Sequence, residues 1–173
     1  NQLGLYLNTL AIRTKFKEKG SFLDLVAVQK ETLLGAYEHQ SYPFDGLVGK
    51  LNLKRDTSRS ALFDVMVVLQ NQGQLNNVNN EGELNGLQVE DYDFRRKTSQ
   101  FDINFIFAET EGLALSIEYN TDIYDTYLIE RMFVHFENLL TQLLEQPEAL
   151  IQEADYLTEV EKQQLLVEFN DTD

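Results

Sequence analysis

Apolar and polar residues recur along this chain with two periods, and the switches between them mark out its elements. Leu3, Leu5 and Leu7 alternate with Gly4 and Tyr6, and Leu10 and Ile12 follow Asn8-Thr9. This spacing predicts a strand over 3–13. A charged turn follows at 15–20. Ser21 is suited to cap a helix starting at Phe22, with Asp24 in its first turn. Phe22, Leu25, Val26, Leu33 and Tyr37 sit at roughly helical spacing. That helix must stop before Pro43, because a proline pushes the preceding Tyr42 out of the helical region. Residues 44–51 predict a second, short helix. The stretch 62–69 is rich in Phe, Val and Met and reads as a buried strand.

The segment 71–86 reads as a loop, with five asparagines between Asn71 and Asn80 and glycines at 73, 82 and 86. In 87–94, Leu87, Val89, Tyr92 and Phe94 are interleaved with Glu90, Asp91 and Asp93, as in a strand with one covered face. Arg95-Arg96-Lys97 is the only run of three basic residues. Residues 101–108 and 113–119 predict a hairpin around 109–112. A long amphipathic helix is predicted over 125–145, its apolar face made by Leu128, Met132, Phe136, Leu139, Leu140 and Leu143, and Pro147 ends it. A last helix, 158–169, opens with a capping box of Thr158 and Glu161. The order β-α-α-β-β-β-β-α-α is an α+β (mixed α/β) pattern.

With 173 residues, the chain can build one domain or one lobe of a larger one. Its hydrophobic content of 43% and charged content of 25% suit a soluble globular protein. No apolar run approaches the roughly 18–20 residues that span a bilayer. No secretion signal opens the chain, and its first residues already read as structure, so the natural start is expected upstream. The absence of cysteine excludes disulfides and thiolate sites, which fits a cytoplasmic setting. A net charge of −15 repels nucleic acid and anionic lipid, so neither nucleic acid nor membrane is expected as a partner.

Four stretches carry chemistry or fix geometry. They are Leu3-Gly4-Leu5-Tyr6-Leu7-Asn8-Thr9 with Arg13, His39-Gln40-Ser41-Tyr42-Pro43-Phe44-Asp45, Arg55-Asp56-Thr57-Ser58-Arg59-Ser60-Ala61-Leu62-Phe63-Asp64, and Leu115–Asp125. Together, and in this order, they resemble the condensation domains of nonribosomal peptide synthetases, over nearly the whole chain. The tail, from Ala154-Asp155-Tyr156-Leu157-Thr158 to Glu168-Phe169-Asn170, resembles the link to a following adenylation domain. What is matched is the family's C-terminal half. The resemblance implies one lobe of a two-lobed fold like chloramphenicol acetyltransferase, with a tunnel between the lobes. Residues 1–157 would be the lobe, and 158–173 a helix and the start of a linker.

In that family, two carrier-borne thioesters meet in the tunnel, and the acceptor's amine attacks the donor's thioester carbonyl to form an amide. The family's catalytic motif is a pair of adjacent histidines followed by an aspartate and a glycine. This chain has only His39 and His135. The resemblance therefore assigns no catalytic residue here. It implies tunnel-wall or structural roles for Asn8, Thr9, Arg13, His39, Gln40, Pro43, Phe44, Arg55, Asp56, Arg59 and Ser99. It also implies that 78–100 is the segment crossing to the other lobe. Implied partners are the N-terminal lobe, donor and acceptor carrier proteins and the adenylation domain. Implied cofactors are the carriers' 4'-phosphopantetheine arms, with nothing bound directly. A non-catalytic docking lobe, or the same lobe of an epimerising or cyclising domain, are the alternatives.

The residues also have readings of their own. Tyr42 and Phe44 flank the rigid Pro43 with apolar rings. His39 stands at a helix C-terminus, where it can bond the last carbonyls. Arg55-Asp56 and Arg59 suggest a half-buried arginine–carboxylate pair that holds a loop. Asn8-Thr9 interrupts an apolar run, and would either line a channel or bond to a neighbouring loop. No phosphate-cradling glycine loop, Gly-x-Ser-x-Gly elbow or metal-ligand cluster is present, and the abundant acids single out no paired carboxylates.

Overall fold

The structure, a computed structural model, describes residues 7–15, 17, 19–53, 56, 59–70, 98–99, 101–109 and 112–171. It is a mixed α/β chain of two compact units. One is formed by Asn1–Leu53 together with Tyr127–Asp173, the other by Lys54–Thr126.

The first unit is helical. Helix α1, Phe22–Glu38, opens with a reciprocal cap: the Asp24 N–H donates to Ser21 Oγ at 3.1 Å, and the Ser21 N–H donates to Asp24 Oδ2 at 3.0 Å. These donors hold the Asp24 carboxyl below the usual carboxylate range, the Ser21 backbone N–H first among them. The α1 residues Phe22, Leu25 and Leu33 are half-buried, but Val26 and Tyr37 are exposed, so its apolar stripe is narrower than expected. α1 ends at His39, ahead of Pro43. Helix α2, Phe44–Leu51, has the expected bounds. It ends on Asn52, the one non-glycine residue of positive φ (48°) among those described, a conformation asparagine tolerates well.

Helix α3, Thr126–Glu145, ends two residues short of Pro147. On its apolar side Ile129 and Leu143 are buried, whereas Leu128 is exposed, a correction of one position in the stripe. Short 3-10 turns at Ile151–Glu153 and Glu168–Asn170 flank helix α4, Glu159–Leu166. The start of α1 is stitched to the chain after α3. The Leu23 N–H donates to Pro147 O and the Ile151 N–H to Gly20 O, both at 3.1 Å, and Ser21 bridges Leu150.

The second unit holds a sheet of three described strands in the order β1-β2-β3: Val65–Gln70, Ile103–Glu109 and Leu113–Tyr119. β2 and β3 form the expected hairpin, with Ile103 opposite Tyr119 and Glu109 opposite Leu113. β1 joins β2 in parallel, with Val65 opposite Ile103 and Gln70 opposite Ala108. A parallel pair needs a long crossover, which local periodicity does not reveal.

Two expectations are corrected. Residues 7–13 are not a strand: no ladder forms there, and Leu7 is 82% exposed. The strand predicted at 62–69 starts at Val65 and is not buried. Val67 and Leu69 are 64% and 60% exposed, because β1 lies at the end of the described sheet with nothing described over that face. The loop at 71–86, the alternating stretch at 87–94 and the basic run at 95–97 lie outside the described residues.

Replacing Ser21 with Ala removes the cap of α1. We expect a loss of about 1 kcal/mol, and a melting temperature lower by about 2–4 °C in a thermal scan.

Candidate functional site

The first two motifs meet through one side chain. Asn8 Nδ2 donates to the carbonyls of Gln40 at 2.6 Å and Tyr42 at 2.9 Å, and the Thr9 N–H donates to Asn8 Oδ1 at 3.0 Å. The amide thus ties the chain at 8–9 to the turn between α1 and α2. That turn is built by backbone bonds from the His39 N–H to Ala36 O, the Gln40 N–H to Tyr37 O and the Tyr42 N–H to His39 O. It is the backbone of His39, not its exposed imidazole, that closes α1. Beside this tie lies a cleft of about 220 Å³ whose lining includes Thr9, Leu10, His39, Tyr42, Phe44 and Leu47. Gln40, Pro43 and Arg13 are exposed. Of the two readings of Asn8, the bond to a neighbouring loop is the one seen.

The third motif and Ser99 belong to the second unit. Arg55 lies outside the described residues, and Asp56 is exposed. Arg59 pairs with Asp64, and this pairing raises the arginine's pKa. The arginine is more exposed than the expected half-buried pair, its side chain 59% accessible, and its hydrogen-bonded partner is Asp64, with Asp56 adding to the raised pKa. Next to it, Phe63 stacks on Phe101 with centroids 5.3 Å apart. Ser99 Oγ donates to Phe101 O at 2.7 Å and accepts from Asn104 Nδ2 at 3.2 Å. The same Nδ2 also faces Glu118 Oε2 at 3.4 Å. Asn104 Oδ1 is buried without a hydrogen-bond partner among the described residues. Sequence reasoning singled out neither Asn104 nor Glu118; their cross-strand register is the only signal.

The fourth motif is the turn from β3 into α3. The Asn120 N–H donates to Asp102 O at 2.9 Å, and Asn120 O receives the N–H groups of Ile123 and Tyr124. Tyr119 Oη donates to Thr126 Oγ1 at 2.9 Å.

A further cluster was only half legible. The capping box pointed to Glu161, but not to its partners on α3. The Glu161 carboxylate accepts the Thr158 N–H and hydroxyl, both at 2.8 Å, and Arg131 Nη2. His135 Nε2 lies 2.8 and 2.9 Å from its two oxygens and therefore donates. These donors, the Thr158 backbone N–H first, hold the Glu161 pKa down at about 2. Arg131 and His135 are four residues apart, so they share a helix face.

The described residues contain no group of acids and histidines able to hold a metal, and no described helix is long and apolar enough to cross a membrane. A sequence model described as "Condensation domain" matches residues 1–166. The chain belongs to the condensation domain family. It is 39% identical to gramicidin S synthase 2 of Brevibacillus brevis, over 99% of this chain and 4% of that protein. It is 37% identical to tyrocidine synthase 3 of Brevibacillus parabrevis, over 97% of this chain and 2% of that protein.

This condensation-family chain thus spans only a few per cent of the length of these relatives. Two solved structures share its fold at 21% identity. A four-domain nonribosomal peptide synthetase bound to AMP and glycine gives a TM-score of 0.77, over 90% of this chain and 13% of that one. The complex of the X-domain and OxyB from teicoplanin biosynthesis gives 0.72, over 86% and 32%.

The depressed pKa of Glu161 makes stability acid-sensitive. Its contribution is complete above the ordinary value of 4.5 and is lost as pH falls through about 2. Across that window the melting temperature of Glu161→Gln should fall less steeply than that of the wild type. Arg59→Ala, by contrast, should move the melting temperature by no more than about 2–3 °C, because an exposed pair is screened by water.

Proposed function

We propose that this chain is the C-terminal lobe of an amide-forming condensation domain in nonribosomal peptide synthesis. Residues 1–157 form the lobe, and 158–173 a helix and the start of a linker towards an adenylation domain. The observation that carries the reading is the family match over 1–166 in a sequence with no adjacent histidine pair. The four motifs follow the family's order. The thin core supports the reading: among the described residues only Ile103, Ile129 and Leu143 are buried hydrophobic side chains. A chain with so thin a core needs cover from a companion surface, which the N-terminal lobe would provide, while 78–100 would cross from this lobe to the other.

In the reaction, the acceptor's amine nitrogen bonds to the donor's thioester carbonyl carbon. The carbon–sulfur bond breaks, and the sulfur leaves with the carrier's phosphopantetheine arm. The amine must also lose a proton, and the family's histidine motif, expected in the other lobe, takes that role. Here Asn8, Thr9, Arg13, His39, Gln40, Pro43 and Phe44 build or brace one stretch of tunnel wall. Arg55, Asp56, Arg59 and Ser99 build another. Donor and acceptor carrier proteins and the adenylation domain are the partners, in a cytoplasmic setting.

A second reading has an observation of its own. The X-domain that shares this fold is seen in complex with OxyB, so the fold also serves as a protein-docking surface. On this reading the chain docks carrier or adenylation domains without taking part in chemistry.

The purified chain, mixed with two loaded carrier proteins, should form no amide above the uncatalysed rate. Addition of an N-terminal lobe bearing the paired histidines should restore amide formation. Amide formation by the chain alone would overturn the lobe assignment. Failure of the reconstituted pair would favour the docking reading.

A further inference from the structure

Helix α3 carries polar residues at Arg131, His135, Asn138 and Gln142. Their spacing of four, three and four residues sets them in one stripe along the helix. All four are engaged by the chain that follows the helix. Gln142 Nε2 donates to Asp155 O, and the Asp155 N–H returns a bond to Gln142 Oε1 at 2.9 Å, so this side-chain amide pairs like a neighbouring strand. Asn138 Nδ2 donates to Tyr156 O at 3.3 Å. The His135 ring meets the Tyr156 ring edge-on at 5.3 Å, and its Nε2 donates to Glu161. Arg131 closes the series on the same carboxylate. The tail therefore runs back along α3, antiparallel to it, from Gln142 towards Arg131.

Apolar packing does not account for this course. Glu161 is the one buried residue of α4, while Val160 and Leu166 are 78% and 71% exposed. A helix of eight residues is too short to persist without tertiary support. Where an apolar face would normally dock a helix, a single carboxylate with converging donors does so.

We propose that the α3 stripe is a polar clasp, with Glu161 as its bolt, that sets the direction in which the chain leaves the helical unit. The clasp can open and release 155–166 while α1 and the β2–β3 hairpin stay folded. An apolar docking face would spread its free energy over many contacts, so the tail would melt with the core. A clasp whose charged contacts meet on one ionised group can be lost as a local event. The device is independent of whether the chain is catalytic or docking, because it lies wholly within α3 and the tail.

Amide hydrogen exchange on the whole chain tests it. In Glu161→Ala, exchange over 155–166 should rise by roughly tenfold or more, as expected when an element opens locally rather than with the core. The rates of α1 and of the β2–β3 hairpin should change far less than those of 155–166. Gln142→Ala removes only the far end of the clasp and touches no charge. There, faster exchange should be confined to 155–157. Unchanged exchange at 155–166 in Glu161→Ala would overturn the proposal. So would exchange that rises equally across α1, or a Glu161→Ala chain that does not fold, because either would make the tail part of the cooperative core.

Discussion

The carboxylate of Glu161 is the point on which the path of the tail along α3 depends. It caps its own helix through Thr158 and at the same time anchors that helix to α3 through Arg131 and His135. Burying an ionised group is costly unless donors surround it. Here the donors come from two elements far apart in sequence, so the charge can be satisfied only if the tail lies along α3. The requirement to satisfy one ion thus selects one path for the chain.

The same logic operates on a smaller scale at Asn8. Its amide answers two carbonyls of the α1–α2 turn and one backbone N–H of its own segment. Two motifs of the condensation family, separated by some thirty residues of sequence, become one piece of surface. His39, Tyr42 and Phe44 share a cleft with Thr9 and Leu10 as a consequence. Braced by side-chain amide bonds to the backbone, this piece of surface is held in one shape.

The sheet shows the opposite condition. β1 is apolar on both faces, and most of it is exposed. Its composition suits an interior strand, yet no described residue covers its exposed side chains. The Asn104–Ser99–Glu118 group lies in the same unit. There, one buried acceptor, Asn104 Oδ1, has no donor among the described residues.

By itself the sequence determined the elements whose causes are local. The Ser21 cap, the stop ahead of Pro43, the bounds of α2, the β2–β3 hairpin and the Thr158–Glu161 box all depend on neighbours a few residues away. Its motifs, read together, also pointed to the condensation family. Only the tertiary structure decided what depends on partners distant in sequence. It made β1 parallel to β2 and exposed, left 7–13 without a ladder, and gave Arg59 a direct bond to Asp64. It also turned a row of polar residues on α3 into the track for the tail. Periodicity reports which side of an element is apolar, and capping residues report where it begins. Neither reports which surface will cover it, because that is settled by chain crossings and by the need to give each buried charge its donors.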